Sequence, residues 1–261
     1  MSNSALAPTA IEIRGLSLTF ATSDAPVVAL SDIDLTVRHG EFVAFIGPAG
    51  CGKTTLMRVI ADLAAPSAGH ITVNGVTPCE ARLKRAYGYV FQAPALYAWR
   101  NAIRNVMLPL EIMGYTPQER KARAAKYMEL VGLTGFERKS PWQLSGGMQQ
   151  RVSLVRGFAL GAPILLMDEP FAALDEITRA EMRYLLLDLW QRTGTTVVFV
   201  THSITEAVIL SDRVVVMAAR PGRIAAVEPI SLGRPRHPEM EDAPEFHEHV
   251  RVLRDHLQDH S

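Results

Sequence analysis

Three observations predict an α/β fold for this chain. Short apolar runs alternate with helix-like segments over much of its length. One such run leads straight into a glycine-rich loop, and a later one ends in paired carboxylates. Buried parallel strands that present their C-terminal ends to a single ligand give this pattern.

In chain order, Ile11 to Phe20 alternates apolar with polar residues and reads as a half-buried strand. Phe42 to Ile46 is continuously apolar, as a buried strand is, and Thr54 to Leu63 carries helical spacing. Ile71 to Val76, with Asn74-Gly75 inside it, carries a hairpin cue. Tyr87 to Phe91 reads as a further strand. From residue 93 to about 155 the pattern turns helical, with Thr116-Pro117 opening one helix and Gly132 and Pro141 breaking the periodicity. Strands and helices then alternate again: Ile164 to Met167, the helix from Asp175 to Thr193, Thr196 to Val200, and Arg213 to Met217. The expected organisation is a core of about residues 1–92 and 156–235, a helical insert of about 93–155, and a short tail, 236–261. An amphipathic helix through Phe246, Val250, Leu253 and Leu257 is expected in that tail.

The loop comprises Gly47, Pro48, Ala49, Gly50, Cys51, Gly52, Lys53, Thr54 and Thr55, between a strand and a helix. A phosphate-binding loop requires that context. Its glycines let backbone N–H groups turn inward, Lys53 reaches the β- and γ-phosphates, and the Thr54 hydroxyl suits Mg²⁺. Cys51 reads either as a thiol activated by the helix N-terminus and Lys53 or as a small filler beneath the loop.

Asp168 and Glu169 end an apolar strand, so Asp168 suits a metal and Glu169 an attacking water. Ser145 is a natural N-cap, and Gly146 and Gly147 after it leave the first helical N–H groups open to an anion. Phe20, Gln92 and His202 each stand at a strand end. On the residues alone, Phe20 reads as a core aromatic, Gln92 as a polar strand-end residue and His202 as a structural histidine.

Taken in order, the loop at Gly47 to Thr54, the string Leu144-Ser-Gly-Gly-Met-Gln-Gln-Arg151 and the segment Ile164 to Pro170 resemble the ATP-binding subunits of ABC transporters, from about Ile11 to about Glu228. The resemblance implies a P-loop NTPase cassette with a mixed sheet core and an inserted helical subdomain. It implies ATP and Mg²⁺ as cofactors, with Thr54, Gln92 and Asp168 toward the metal and Glu169, His202 and Gln92 toward catalysis. Phe20 becomes the adenine-stacking aromatic, Ser145 to Gly147 the signature motif, and Asp175 the D-loop aspartate. A head-to-tail pair with a second copy is implied as well, each signature closing over ATP held by the other copy's loop.

Integral membrane permease subunits and an extracytoplasmic solute-binding protein are the further partners implied, at the cytoplasmic face of the inner membrane. In related transporters the stretch after Gln92 forms a groove for a permease helix, which places Tyr97, Trp99 and Met107 on its lining and Val106 and Leu110 in the core. Arg220-Pro-Gly-Arg-Ile224, Trp99-Arg100 and Arg234-Pro-Arg236 are similar to bacterial importers of nitrate, sulfonates and taurine. Three positions depart from the commonest family pattern: Ser203 after the histidine, Ala173 before Leu174-Asp175, and Asp62 after the loop's helix. None removes a group assigned to chemistry.

Composition agrees with this reading. In 261 residues, 27 Lys and Arg balance 27 Asp and Glu, so no net positive field recruits nucleic acid. With 48% hydrophobic residues the chain can bury a large core, yet no apolar run approaches the ~20 residues that span a bilayer. The N-terminus lacks the basic and apolar regions of a signal peptide, and Cys51 and Cys79 lack metal-ligand spacing. An ABC ATPase acting on a soluble partner is the alternative. It is disfavoured by the single phosphate loop and the lack of heptads.

Overall fold

The computed structural model describes residues 9–23 and 25–259. They form two compact units, one running to Tyr87 and resuming at Thr196, the other spanning Gly88–Thr195.

In the first unit, β1 (Thr9–Phe20) pairs antiparallel with both β2 (Val27–Arg38) and β4 (Ala68–Val73), giving a three-stranded sheet in the order β2-β1-β4. Strand β3 (Phe42–Ile46) is buried along its whole length, as its unbroken apolar run requires. It lies parallel between β7 (Thr196–Val200) and β8 (Arg213–Ala218), and β9 (Arg223–Pro229) closes on β8 antiparallel, so this sheet is mixed. Helix α1 (Lys53–Ile60) leaves the end of β3 through the glycine-rich loop.

The hairpin cue at Asn74-Gly75 produces a tight turn with both residues at positive φ and a single bridge from Val73 to Val76. No second strand comes after it. Thr77 and Glu80 instead form a capping box that starts α2 (Pro78–Leu83), so helix-start chemistry overrides the hairpin.

Helix α7 (Ile204–Leu210) follows β7, capped by Ser203, whose hydroxyl accepts the Glu206 N–H. The tail helix α8 (Pro244–Asp259) forms as expected and buries Phe246 and Leu253. Ahead of it the Arg236 guanidinium, 4% exposed, donates to the carbonyls of Val208, Ile209 and Ser211 at the end of α7. That anchor ties the Pro-rich connection to the first unit.

The second unit carries β5 (Tyr87–Val90) beside β6 (Ile164–Asp168). Between them in sequence come α3 (Ala102–Ile112), α4 (Pro117–Leu130) and α5 (Gly146–Leu160), which pack on one another, and α6 (Glu176–Thr193) follows β6. Thr116 and Glu119 cap α4 reciprocally, which explains why the Thr-Pro signal marks its start. Among the described residues no helix is long and apolar enough to cross a membrane.

Candidate functional site

In the first unit the loop after β3 is shaped by steric exclusion. Gly47, Gly50 and Gly52 all adopt positive φ. A Cβ on Gly47 would lie 2.5 Å from the Met217 carbonyl oxygen, and one on Gly52 would lie 2.7 Å from Leu30 Cδ2. A Cβ on Gly50 would meet nothing within 4 Å, so the loop is tight against its own unit at both ends and open in the middle. A loop open in the middle leaves room for a phosphate chain.

The Lys53 ammonium donates to the carbonyls of Gly47 at 2.7 Å and Pro48 at 3.0 Å, bridging the loop. Cys51 is 0% exposed, with its sulfur 3.6 Å from Lys53 Nζ. Of the two readings for this thiol, the buried filler is the one the packing supports.

The same unit places Phe20 45% exposed at the end of β1, paired with the exposed Val27. This apolar strand end is suited to a base face. His202 is exposed directly after β7, beside Thr201, whose hydroxyl bonds Glu206 and accepts the Ser203 N–H.

The sequence alone missed a second support for the loop. Gly222, in the turn between β8 and β9, accepts the Ser31 N–H at 2.9 Å and donates to the Ala29 carbonyl at 3.2 Å. A Cβ on Gly222 would come within 2.4 Å of the Cys51 carbonyl oxygen. The turn that sequence reads as a local Pro-Gly feature is thus the back wall of the phosphate loop.

In the second unit the buried strand β6 ends in Asp168, and Glu169 follows at φ +46, a left-handed conformation uncommon for a non-glycine residue. Such a backbone is held only where the surroundings over-determine it, which is common at chemical sites. The Tyr89 hydroxyl donates to Asp168 Oδ2 at 3.3 Å, and its ring lies 4.5 Å from that of Phe91. Sequence reasoning missed Tyr89, although its place two residues into a strand that precedes Gln92 was the available signal. Gln92 itself is exposed just past β5.

Ser145 caps α5 by accepting the Met148 N–H at 3.3 Å. Gly146 has nothing within 4 Å of a Cβ position, leaving the helix start open, whereas a Cβ on Gly147 would sit 2.7 Å from Thr178 Cγ2. Thr178 belongs to the first turn of α6, where Asp175 accepts its N–H at 3.0 Å and its hydroxyl at 2.7 Å. Those bonds, the backbone one foremost, hold the Asp175 carboxyl below the usual carboxylate range. Arg179 reaches back to the Leu174 carbonyl at 2.6 Å and fixes the turn before Asp175. The signature glycines and the Asp175 turn are therefore neighbours in one unit.

After Gln92, Val106 and Leu110 are fully buried and Tyr97 and Trp99 are exposed, while Met107 is half-buried. The core and surface residues of this stretch separate as the helical spacing predicts.

The glycine-rich loop and His202 lie in the first unit. The carboxylates, Gln92, the signature and Asp175 lie in the second. Thr54 in the first unit, and Asp168 and Gln92 in the second, each carry a side-chain oxygen, the donor type that a hard cation such as Mg²⁺ takes.

Comparison with known proteins agrees with these observations. The ABC transporter family matches residues 30–172. An uncharacterized ABC transporter ATP-binding protein of Methanocaldococcus jannaschii is 47% identical over 226 residues, 87% of this chain and 84% of that protein. A taurine import ATP-binding protein of Pseudomonas putida is 42% identical over 224 residues, 86% of this chain and 84% of that protein. Among solved structures, a dimeric ATP-binding cassette bound to ADP and Pi aligns with a TM-score of 0.74 at 31% identity, covering 85% of this chain and all of that one.

Proposed function

The chain belongs to the ABC transporter ATP-binding family, and from that premise we propose that it is the energy-coupling subunit of an importer for a small solute of the taurine, sulfonate or nitrate type. It is an ATPase whose turnover is coupled to transport. The finer reading adds three partners: a second copy of the chain, integral membrane permease subunits at the cytoplasmic face of the membrane, and a solute-binding protein that chooses the cargo.

The observation that carries the catalytic part is Glu169. It follows a strand buried from Ile164 to Met167, stands in a strained backbone conformation, and comes directly after the carboxylate to which the Tyr89 hydroxyl donates. Its role is to orient and polarise the water that attacks the γ-phosphate in line. The Lys53 ammonium exchanges its loop carbonyls for β- and γ-phosphate oxygens, and the loop N–H groups take the remaining oxygens. Phe20 stacks on the adenine, and His202 donates to the γ-phosphate. When bound with the nucleotide, Mg²⁺ neutralises the β/γ charge, and Thr54, Asp168 and Gln92 would hold it.

In the dimer each γ-phosphate is shared between one copy's loop and the N–H groups at Ser145 to Gly147 of the other, with Asp175 lining the same interface. The partial positive charge of a free helix start favours that contact. Cleavage removes the shared group and the clamp opens. Tyr97, Trp99 and Met107 pass the movement to the permease.

The test is reconstitution. The subunit is co-purified from membranes, its permease and binding protein are identified, and ATP-dependent uptake of labelled taurine and nitrate into vesicles is measured. Stimulated ATPase with uptake of one of them is expected. Recovery without any membrane partner would overturn the transport reading, and stimulation by an unrelated solute would overturn the cargo class alone.

A further inference from the structure

The segment from Pro94 to Asn101 carries the exposed aromatic pair Tyr97 and Trp99, with ring centroids 4.9 Å apart, but has no regular secondary structure of its own. Two side chains from helices hold it. The Arg156 guanidinium, on α5, donates from Nη1 to the Ala95 carbonyl at 2.7 Å and from Nη2 to the Pro94 carbonyl at 2.8 Å. The Asn105 side chain, on α3 and 0% exposed, accepts the Tyr97 N–H at 2.8 Å. Its amide donates to the carbonyls of Tyr97 at 3.2 Å, Arg100 at 2.9 Å and Asn101 at 3.1 Å. Both polar side-chain atoms of Asn105 are thus spent on this one segment.

Ala95 sits at φ +47, a left-handed backbone that alanine adopts at a cost. Strain of that kind persists where surrounding contacts over-determine the conformation, and the Arg156 bond to the same residue's carbonyl is such a contact. Burial pushes the Arg156 pKa below the usual arginine value, a sign that the charge is withdrawn from water to make these bonds. A surface loop kept only for connectivity would not need a desolvated guanidinium.

The helix that carries Arg156 is also the one that begins at the signature, Gly146–Leu160. We infer that Arg156 is a positioning residue that clamps residues 94–101 to the signature helix, while Asn105 ties the same segment to α3, so that a nucleotide-driven movement of the signature helix reaches the Tyr97–Trp99 surface. The inference rests on the proposed function for the meaning of the movement, but the clamp itself is a property of the isolated chain. Gln92 lies outside the clamp and is left to follow the nucleotide.

Hydrogen exchange read by mass spectrometry on the full-length chain, with and without magnesium and adenylyl imidodiphosphate, tests it. In the parent, peptides covering 94–101 and 144–152 are expected to change protection together when nucleotide is added. In Arg156→Met, which keeps apolar bulk but removes both donors, the 144–152 response is expected to persist. The 94–101 response should shrink severalfold, and Tyr97 should exchange about tenfold faster without nucleotide. Arg156→Lys, with one donor head, should restore part of the response.

A 94–101 response equal to the parent's in folded Arg156→Met overturns the clamp. So does an even rise in exchange across α3 to α6, or loss of fold in both variants, because each assigns Arg156 to stability alone. If nucleotide changes nothing at 144–152 in the parent, the nucleotide-clamp reading of function fails instead, and Tyr97 protection without nucleotide still decides whether Arg156 holds the segment.

Discussion

The phosphate loop in the first unit and the 94–101 segment in the second are both irregular stretches that leave a strand, yet they are made rigid in opposite ways. The loop is fixed by the absence of side chains: Gly47 and Gly52 let it press against Met217 and Leu30, and Gly222 lets a neighbouring turn press against its back. The 94–101 segment is fixed by side chains that reach in from elsewhere, Arg156 from 62 and 61 positions away and Asn105 from the adjacent helix. The first device makes a cradle whose groups stay put while a ligand arrives, and it suits binding. The second lets the segment travel with whatever helix carries its anchors. It suits transmission.

If the units divide the work in this way, variants should separate binding from turnover, and the largest separation belongs to Glu169→Gln. Loss of a general base costs about 10²–10⁴-fold in rate. Turnover should fall by that order, while equilibrium binding of a labelled ATP analogue stays within about twofold, since the amide keeps shape and hydrogen bonding. Near-parent hydrolysis would remove Glu169 from the base role. Lys53→Ala should do the reverse in kind, weakening nucleotide affinity about 10- to 100-fold through loss of a charge-assisted contact.

A second test asks whether the cradle's rigidity is indeed written in missing Cβ atoms. Gly222→Ala would drive a methyl group to 2.4 Å from the Cys51 carbonyl and 2.6 Å from that of Ala29, both backbone atoms that cannot step aside cheaply. Relief requires the loop or the turn to shift, at a cost of about 1–3 kcal/mol. ATP affinity should fall about tenfold or more with the melting temperature lowered by several degrees, although residue 222 touches no nucleotide. Unchanged affinity in this variant would mean the loop's shape is set without its back wall.

That contrast also explains what could be read before folding. The cradle was legible because its determinants are contiguous: Gly47 to Thr54 between a strand and a helix is a local pattern. The same holds for Asp168 and Glu169 after an apolar run, for the Ser145 cap, and for the α/β alternation that set the fold class. The Asn74-Gly75 cue misled because a turn signal does not specify the element after it, and the Thr77–Glu80 capping box decided for helix. The Gly222 wall, the Thr178 neighbour of Gly147, Tyr89 and the Arg156 clamp were not legible, since each joins residues far apart in sequence. Arg156 left one trace, a lone charge in the apolar run from Val152 to Phe158. Periodicity detects a face but not its partner.

A third test concerns the surface that the clamp presents. Trp99 is 78% exposed and rests on Tyr97, so its removal opens no core cavity. Trp99→Ala should leave nucleotide affinity of the isolated chain within about twofold and the melting temperature nearly unchanged. Recovery with permease-containing membranes should fall about tenfold, the scale of a buried aromatic anchor at an interface. Equal recovery would show that this aromatic surface faces something other than the permease.

The smallest expected effect lies at Tyr89, beside the strand end that carries Asp168. Its hydroxyl reaches Asp168 Oδ2 at 3.3 Å, long for an O–H donor, while its ring packs beside Phe91. Tyr89→Phe keeps the ring contact and deletes only the donor, so the fold should be unaffected. Asp168 has other interactions to hold it, and a hydrogen bond to a carboxylate, worth about 1.5–3 kcal/mol at good geometry, contributes no more than the low end of that range at this length. The expected change is therefore a two- to tenfold rise, in order of magnitude, in the Mg²⁺ concentration that gives half-maximal ATPase activity. The KM for ATP at saturating Mg²⁺ should stay constant, which separates a carboxylate aimed at the metal from a general loosening of β5 and β6. A rise in both constants together would place Tyr89 in the packing of the strands, and no change in either would mean that Asp168 keeps its orientation without it.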